Sequence, residues 1–199
     1  MKFIFKNGNS LIYTEGLTYK KNSAANNALL KDKLLLEQKN FCAYTERFID
    51  PTSSAEVEHF NPSKKYVDDY YNYYAVLRYA NMHKLKFDVQ YKNAAFSQTL
   101  FFQNKEEFKK RILFEDGRYR AVNDDDTAAS GLIEYLGFNA FALTKHRGDH
   151  IKRLVNTLES FTPEERLEYF SIYHSELSFA SAIEDEFKID LSEIIHNLP

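Results

Sequence analysis

Residues 41 to 86 constrain this chain most, because two kinds of hydrophobic spacing follow one another there. Residues 41–60 read as strand-rich, with Pro51-Thr52-Ser53-Ser54 supplying the turn. From about residue 70 to residue 86 the period changes. Tyr73, Val76, Leu77 and Ala80 share one face of a 3.6-residue repeat, which predicts a helix. The expected unit is strand, strand, helix.

The flanks read as mostly helical. Asn7-Gly8-Asn9, between Phe3 and Phe5 on one side and Leu11 and Tyr13 on the other, predicts a β-hairpin. Asn22 or Ser23 is placed to cap a helix carrying Leu29, Leu30, Leu34 and Leu35, which Asn40 would end. Phe114-Glu115-Asp116-Gly117-Arg118-Tyr119 reads as a second tight hairpin. Asp124-Asp125-Asp126-Thr127 carries an N-terminal cap signal, and Pro163 behind Thr162 marks a further helix start. The expected fold class is α+β, mainly α, in one continuous domain over 1–199. It divides into an N-terminal hairpin and helix (1–40), a ββα core (41–88), a hairpin and helices (89–158) and an acidic helical tail (159–199).

Charge separates the tail from the rest. Ten acidic residues stand against Arg166 and Lys188 between Glu159 and Pro199, whereas the whole chain is only −3. The preceding residues therefore carry a modest basic excess that could attract a phosphate backbone. Read otherwise, both are ordinary solvated surfaces. No apolar run is long enough for a membrane span, and Met1-Lys2-Phe3-Ile4-Phe5-Lys6 is too short and too charged for a signal peptide. With Cys42 as the only cysteine, no intramolecular disulfide is available, and the cytoplasm is the expected compartment.

Chemistry concentrates in Glu56-Val57-Glu58-His59-Phe60-Asn61-Pro62, in Asn72 thirteen residues beyond His59, and in Asn81-Met82-His83-Lys84 nine residues further. Imidazole titrates near neutrality and can take a proton from water at working pH. A carboxylate and amide oxygens are ligands for a hard divalent cation. The order acidic-His … Asn … Asn-x-x-Lys resembles the HNH, or ββα-metal, endonuclease motif. That resemblance implies a ββα-metal core embedded among helices, with His59 as general base and Asn72 pinning the strand-to-helix loop that orients it. Glu58 and Asn81 are then metal ligands, with His83 in reserve. The implied cofactor is one divalent cation, Mg²⁺ ahead of Mn²⁺. Lys64, Lys65 and Lys84 are the candidate nucleic-acid contacts. The bland reading makes Glu58-His59 a surface dipeptide and both asparagines helix caps.

The chain departs from the family at the two Cys-x-x-Cys pairs that hold a structural zinc in many members. Here they read Cys42-Ala43-Tyr44-Thr45 and Leu77-Arg78-Tyr79-Ala80. One cysteine cannot make the four-ligand site zinc requires, so no structural zinc is expected. Leu77, with Phe41, Tyr44 and Phe48, is expected to knit strands to helix instead, a buried leucine contributing about 1.5–3 kcal/mol.

Beyond the motif, Glu37-Gln38-Lys39-Asn40-Phe41-Cys42-Ala43-Tyr44, Asp126-Thr127-Ala128-Ala129-Ser130-Gly131-Leu132-Ile133, Leu136-Gly137-Phe138-Asn139, Leu143 and Arg147 are similar to the HNH subunits of Septu-type and retron-associated anti-phage systems. The similarity spans roughly 25–155. It implies an ABC-type or SMC-like ATPase partner and nucleic acid as target, DNA ahead of RNA, with no membrane. The alternative is a catalytically silent HNH scaffold that binds nucleic acid or regulates the ATPase. Two features stay open between readings. Lys145-His146-Arg147, His150, Lys152 and Arg153 are a phosphate-contacting face or a solvated helix. Tyr66, Tyr70, Tyr71, Tyr73, Tyr74 and Tyr79 are base-stacking platforms or packing.

Overall fold

The computed structural model of the chain describes residues 1–65, 69–91 and 94–199. Its order is α1 (Leu11–Thr14), α2 (Ala24–Glu37), β1 (Ala55–His59), β2 (Tyr73–Leu77), α3 (Arg78–Leu85), α4 (Ala95–Thr99) and α5 (Lys105–Arg111). Then come β3 (Ile112–Glu115), β4 (Arg118–Ala121), α6 (Thr127–Tyr135), α7 (Phe141–Thr157), α8 (Pro163–Ile172), α9 (Ala180–Phe187) and α10 (Ser192–Asn197). The fold is α+β and mainly α. Its strands form two antiparallel pairs, β1 with β2 and β3 with β4.

Several local expectations hold. Residues 114–119 turn a hairpin, with Glu115 opposite Arg118 and Gly117 at φ 75°. Thr162 and Glu165 form a reciprocal capping box ahead of Pro163. Asp126 caps α6 by accepting from the Ala129 N–H at 3.0 Å, and it also receives Arg111 through two nitrogens at 2.6 and 2.7 Å. Those donors hold its carboxyl below the ordinary range, Arg111 first. Its stabilisation is therefore present above the unfolded value of roughly 4 and lost as pH falls through the lower folded value. Asp126→Ala should lower stability by about 0.5–2 kcal/mol at pH 7 and flatten the acid limb of a denaturation-versus-pH curve.

Other expectations are corrected. Asn7-Gly8-Asn9 turns the chain, but no strand flanks it among the described residues; Ser10 caps α1 instead, accepting from Ile12 N–H at 3.1 Å. Phe3 and Ile4 are consecutive and both buried, in different clusters, so the first residues are covered on both sides instead of presenting the one apolar face of the expected hairpin. Within 41–60 only β1 is a strand; its expected partner reduces to one bridge between Phe41 and Phe48, around a turn with Glu46 at φ 58°. The expected helix over 70–86 divides into a 3-10 turn, strand β2 and α3. Every residue of β2 is buried, so its apolar run mimics a helical stripe.

Apolar burial explains the placement of the tail. The larger core joins Cys42, Tyr44, Phe60, Tyr74, Val76 and Leu77 to Phe96, Phe102, Leu132, Tyr135 and Phe138. A second cluster holds Phe3 and Phe41, stacked at 3.9 Å, together with Leu154, Phe170, Ile183, Leu191 and Ile195. The tail is thus packed on the first residues of the chain. Glu46, buried in the turn between Phe41 and Phe48, fastens it. Its carboxylate accepts from the Ser181 N–H at 2.9 Å and the Ser181 hydroxyl at 2.8 Å, capping α9 from outside that helix.

Candidate active site

β1 and β2 are adjacent in space, and β2 runs without a break into α3. In register, Glu56 faces Val76, Glu58 faces Tyr74 and His59 faces Tyr73. Glu56 and Glu58 share one side of β1 by the two-residue alternation, and α3 lies against that side. Asn81 and Lys84, three apart on α3, reach them in order: Asn81 Nδ2 donates to Glu56 at 2.7 Å, and Lys84 Nζ lies 2.5 Å from Glu58 Oε1. His59 leaves the opposite side at the strand's last residue, between the rings of Tyr19 and Tyr73 at centroid separations of 4.9 and 5.5 Å.

The strand ends there because Phe60-Asn61-Pro62 turns away, and Asn72 sets that turn. Its Oδ1 accepts from Asn61 N–H at 2.7 Å, its Nδ2 donates to Asn61 C=O at 3.1 Å, and its own carbonyl accepts from Phe60 N–H at 3.0 Å. The expected pinning of the loop is therefore present in geometry, although Asn72 stands at the entry to β2 rather than at the mouth of a helix. Asn72→Ala would strand two buried backbone groups, and equilibrium denaturation should show a loss of about 1–3 kcal/mol. Asn72→Asp keeps the acceptor but sets a buried carboxylate oxygen against the Asn61 carbonyl, so it should lose at least as much.

Glu58, His59, Glu56 and Asn81 all open onto one cleft of ≈470 Å³, whose further sides include Tyr19, Asn27, Lys31 and Lys65. Burial, reinforced by the positive charges of Lys65 and Lys84, pulls the imidazole down to about 4. His59 is neutral at neutral pH and a weaker base than a free imidazole; a phosphate beside it would reverse part of that shift. Burial pushes the Glu58 carboxyl up, opposed by Lys84. Asn81 Oδ1 is fully buried with no partner among the described residues. An orphaned amide oxygen on a cleft that also carries two carboxylates is a hard donor set, which suits Mg²⁺ or Mn²⁺ because such cations keep several waters and take few protein ligands. Among the described residues, no three His, Cys, Asp or Glu side chains converge to hold a metal, so an amide would have to contribute.

Two expected roles are corrected. Lys84 is 1% exposed and cannot present its ammonium to a nucleic acid: it is held between Glu58 and Asp88, 2.9 Å away, over the ring of Tyr135. The Tyr135 hydroxyl in turn shares its one proton between Asp88 at 2.8 Å and Phe60 C=O at 3.0 Å. His83 turns away from the cleft. Its ring lies against Phe87, with Nε2 3.2 Å from Glu134 C=O, in space that Gly137 leaves open; a Cβ there would clash with the imidazole. Lys65 borders the cleft and is exposed, whereas Lys64 is exposed beside it without lining it. Of the α7 cluster, Arg147 is buried against Phe138 C=O and Gly117 C=O, and His150 Nε2 lies 3.1 Å from Glu176 C=O. Tyr70, Tyr73 and Tyr74 are core residues, Tyr71 is half-buried and Tyr79 exposed; Tyr66 lies outside the described residues.

Residues 42–45 and 77–80 do meet. Cys42 Sγ accepts from Leu77 N–H at 3.4 Å, and Cys42, Tyr44, Leu77 and Ala80 share one apolar cluster. Phe41 and Phe48 are not part of it; they pack toward the tail. Sequence reasoning missed Gln38, whose buried amide donates to Phe41 and Ala75 carbonyls and accepts from Ala75 N–H, all at 2.8 Å. It serves as a surrogate strand along β2. Tyr19 and Asp88 were missed too, since neither has a short-range signal.

Comparison with family models, curated proteins and solved structures gave no match. Among the described residues, no helix is long and apolar enough to cross a membrane.

Proposed function

We propose that the chain is a metal-dependent, HNH-type endonuclease that hydrolyses nucleic-acid phosphodiester bonds, DNA ahead of RNA. The observation that carries this reading is the convergence of Glu58, His59 and Asn81 on one cleft, with Asn72 tying down the backbone that follows His59. His59 would take the proton from a water whose oxygen bonds to phosphorus as the phosphodiester's leaving oxygen departs. Lys65, on the cleft border, would contact a substrate phosphate. Glu58 and Asn81 would hold one divalent cation, which supplies charge neutralisation for the phosphate and the leaving oxygen when bound. Work as an effector of an anti-phage system, beside an ABC-type or SMC-like ATPase, belongs to the proposal through sequence resemblance alone.

The test is cleavage of plasmid, linear DNA and RNA by purified protein, alone and with any ATPase encoded beside it. Cleavage in Mg²⁺ or Mn²⁺ should fall by roughly 10²–10³-fold in EDTA, the equivalent of the several kcal/mol a catalytic cation supplies. A second reading, a silent scaffold that binds nucleic acid or regulates the ATPase, is favoured by one observation. Lys84 already neutralises Glu58, the first of the two expected ligands. Protein that binds nucleic acid yet cleaves nothing in any metal, with or without the ATPase, would select that reading.

A further inference from the structure

A second cavity, of ≈360 Å³, lies away from the cleft, between the first residues of the chain, α5, the β3–β4 hairpin and the helices α9 and α10. Its apolar floor includes Phe108, Ile112, Phe114 and Tyr119. Phe114 and Tyr119 meet edge to face at 4.9 Å. Tyr119 is buried and its ring also packs on Phe138 at 4.8 Å, which holds it in place. The volume falls at the small end of the roughly 300–1,000 Å³ typical of ligand sites, and an apolar body with a few polar groups is their usual lining.

The rim is charged and unbalanced. Lys2, Lys105, Lys109 and Lys188 face Glu184 and Asp185. Lys2 pairs with Glu184, and Lys188 with Asp185 at 2.9 Å. Lys105 and Lys109 have no carboxylate partner among the described residues; the Lys105 ammonium rests 4.8 Å over the Phe5 ring. Burial first, then the charges of Lys2 and Lys109, lower its pKa. An ordinary solvated lysine face spreads its charges into water, whereas this one crowds them at the mouth of an aromatic cavity.

We propose that this cavity binds a compact aromatic phosphate, of the size and charge of a nucleoside monophosphate. The two unpaired ammonium groups match a phosphate monoester's charge of about −1.5 to −2 at pH 7. Phe108, Phe114 and Tyr119 line the cavity as rigid aromatic surface, which suits a planar base better than a flexible chain. The site is separate from the proposed nuclease cleft and does not depend on that reading.

The experiment is calorimetric titration of the full chain with AMP, GMP, CMP and UMP, and with inorganic phosphate, adenosine and decanoate as probes. At least one monophosphate should bind at least about tenfold more tightly than phosphate or adenosine. The Lys105→Ala/Lys109→Ala variant should weaken it by about tenfold or more, at an unchanged melting temperature. Lys65→Ala, at the other cleft, and Lys145→Ala, on α7, should leave it unchanged. The proposal is overturned if no monophosphate binds at millimolar concentration, or if phosphate or decanoate binds as well as the best monophosphate. Binding that survives the double substitution, or that is lost in Lys65→Ala, overturns it too.

Discussion

Protein carrying His59→Ala or His59→Asn should cleave nucleic acid about 10²–10⁴-fold more slowly than wild type, the usual contribution of a positioned general base, while melting within a few degrees of it. The separation of activity from stability is expected from the surroundings of the ring. His59 meets Tyr19 and Tyr73 edge to face, so its loss removes packing at the cleft wall, whereas the larger core is centred on Phe60, Tyr74 and their neighbours. The asparagine variant keeps a polar side chain and separates loss of the base from loss of volume. Activity within fivefold of wild type in both variants would remove His59 from the chemistry and leave the cleft without a proton acceptor of its kind.

Lys84→Met should have the largest effect on stability. The side chain is buried, and its ammonium serves two carboxylates, Glu58 and Asp88. Removing one member of a buried ion pair typically costs about 3–5 kcal/mol, because the remaining charge is left uncompensated. For a chain of this length that corresponds to a melting point lower by roughly 6–20 °C. Adding Glu58→Gln and Asp88→Asn should restore part of the loss, since replacing the whole network removes the stranded charges. A loss below about 1 kcal/mol, accompanied by weaker nucleic-acid binding, would mean that Lys84 leaves its buried position to meet phosphate.

The burial of Lys84 also shows where sequence reasoning reaches its limit. A lysine near a helix end reads as solvated; only the approach of β1, twenty-six residues earlier, and of Asp88 makes it a core residue. Glu58, His59, Asn72 and Asn81 stand out in sequence by order and spacing, and the structure brings three of them to one cleft with the fourth bracing its edge. The secondary structure around them was less legible. In β2, Tyr73-Tyr74-Ala75-Val76-Leu77 is buried on both faces, so the alternation that normally reveals a strand is missing. The N-terminal Asn-Gly signal specifies a turn, but a hairpin also needs a second strand, and the residues after this turn enter α1 behind the Ser10 cap. Caps such as Asp126 and Thr162 were readable because they are settled within four residues.

The pairing of Phe3 and Phe41 with Leu191 and Ile195 fixes the order in which this protein can mature on a ribosome. At roughly 5–20 residues per second, about 10–40 s separate synthesis of Phe3 from synthesis of Leu191. Throughout that interval the stacked rings lack the surface that finally shields them, and Glu46 lacks the backbone amide it will cap. Until α9 and α10 emerge the nascent chain exposes apolar surface that the finished fold covers, and a stop codon shortly after residue 158 would leave that surface permanently bare.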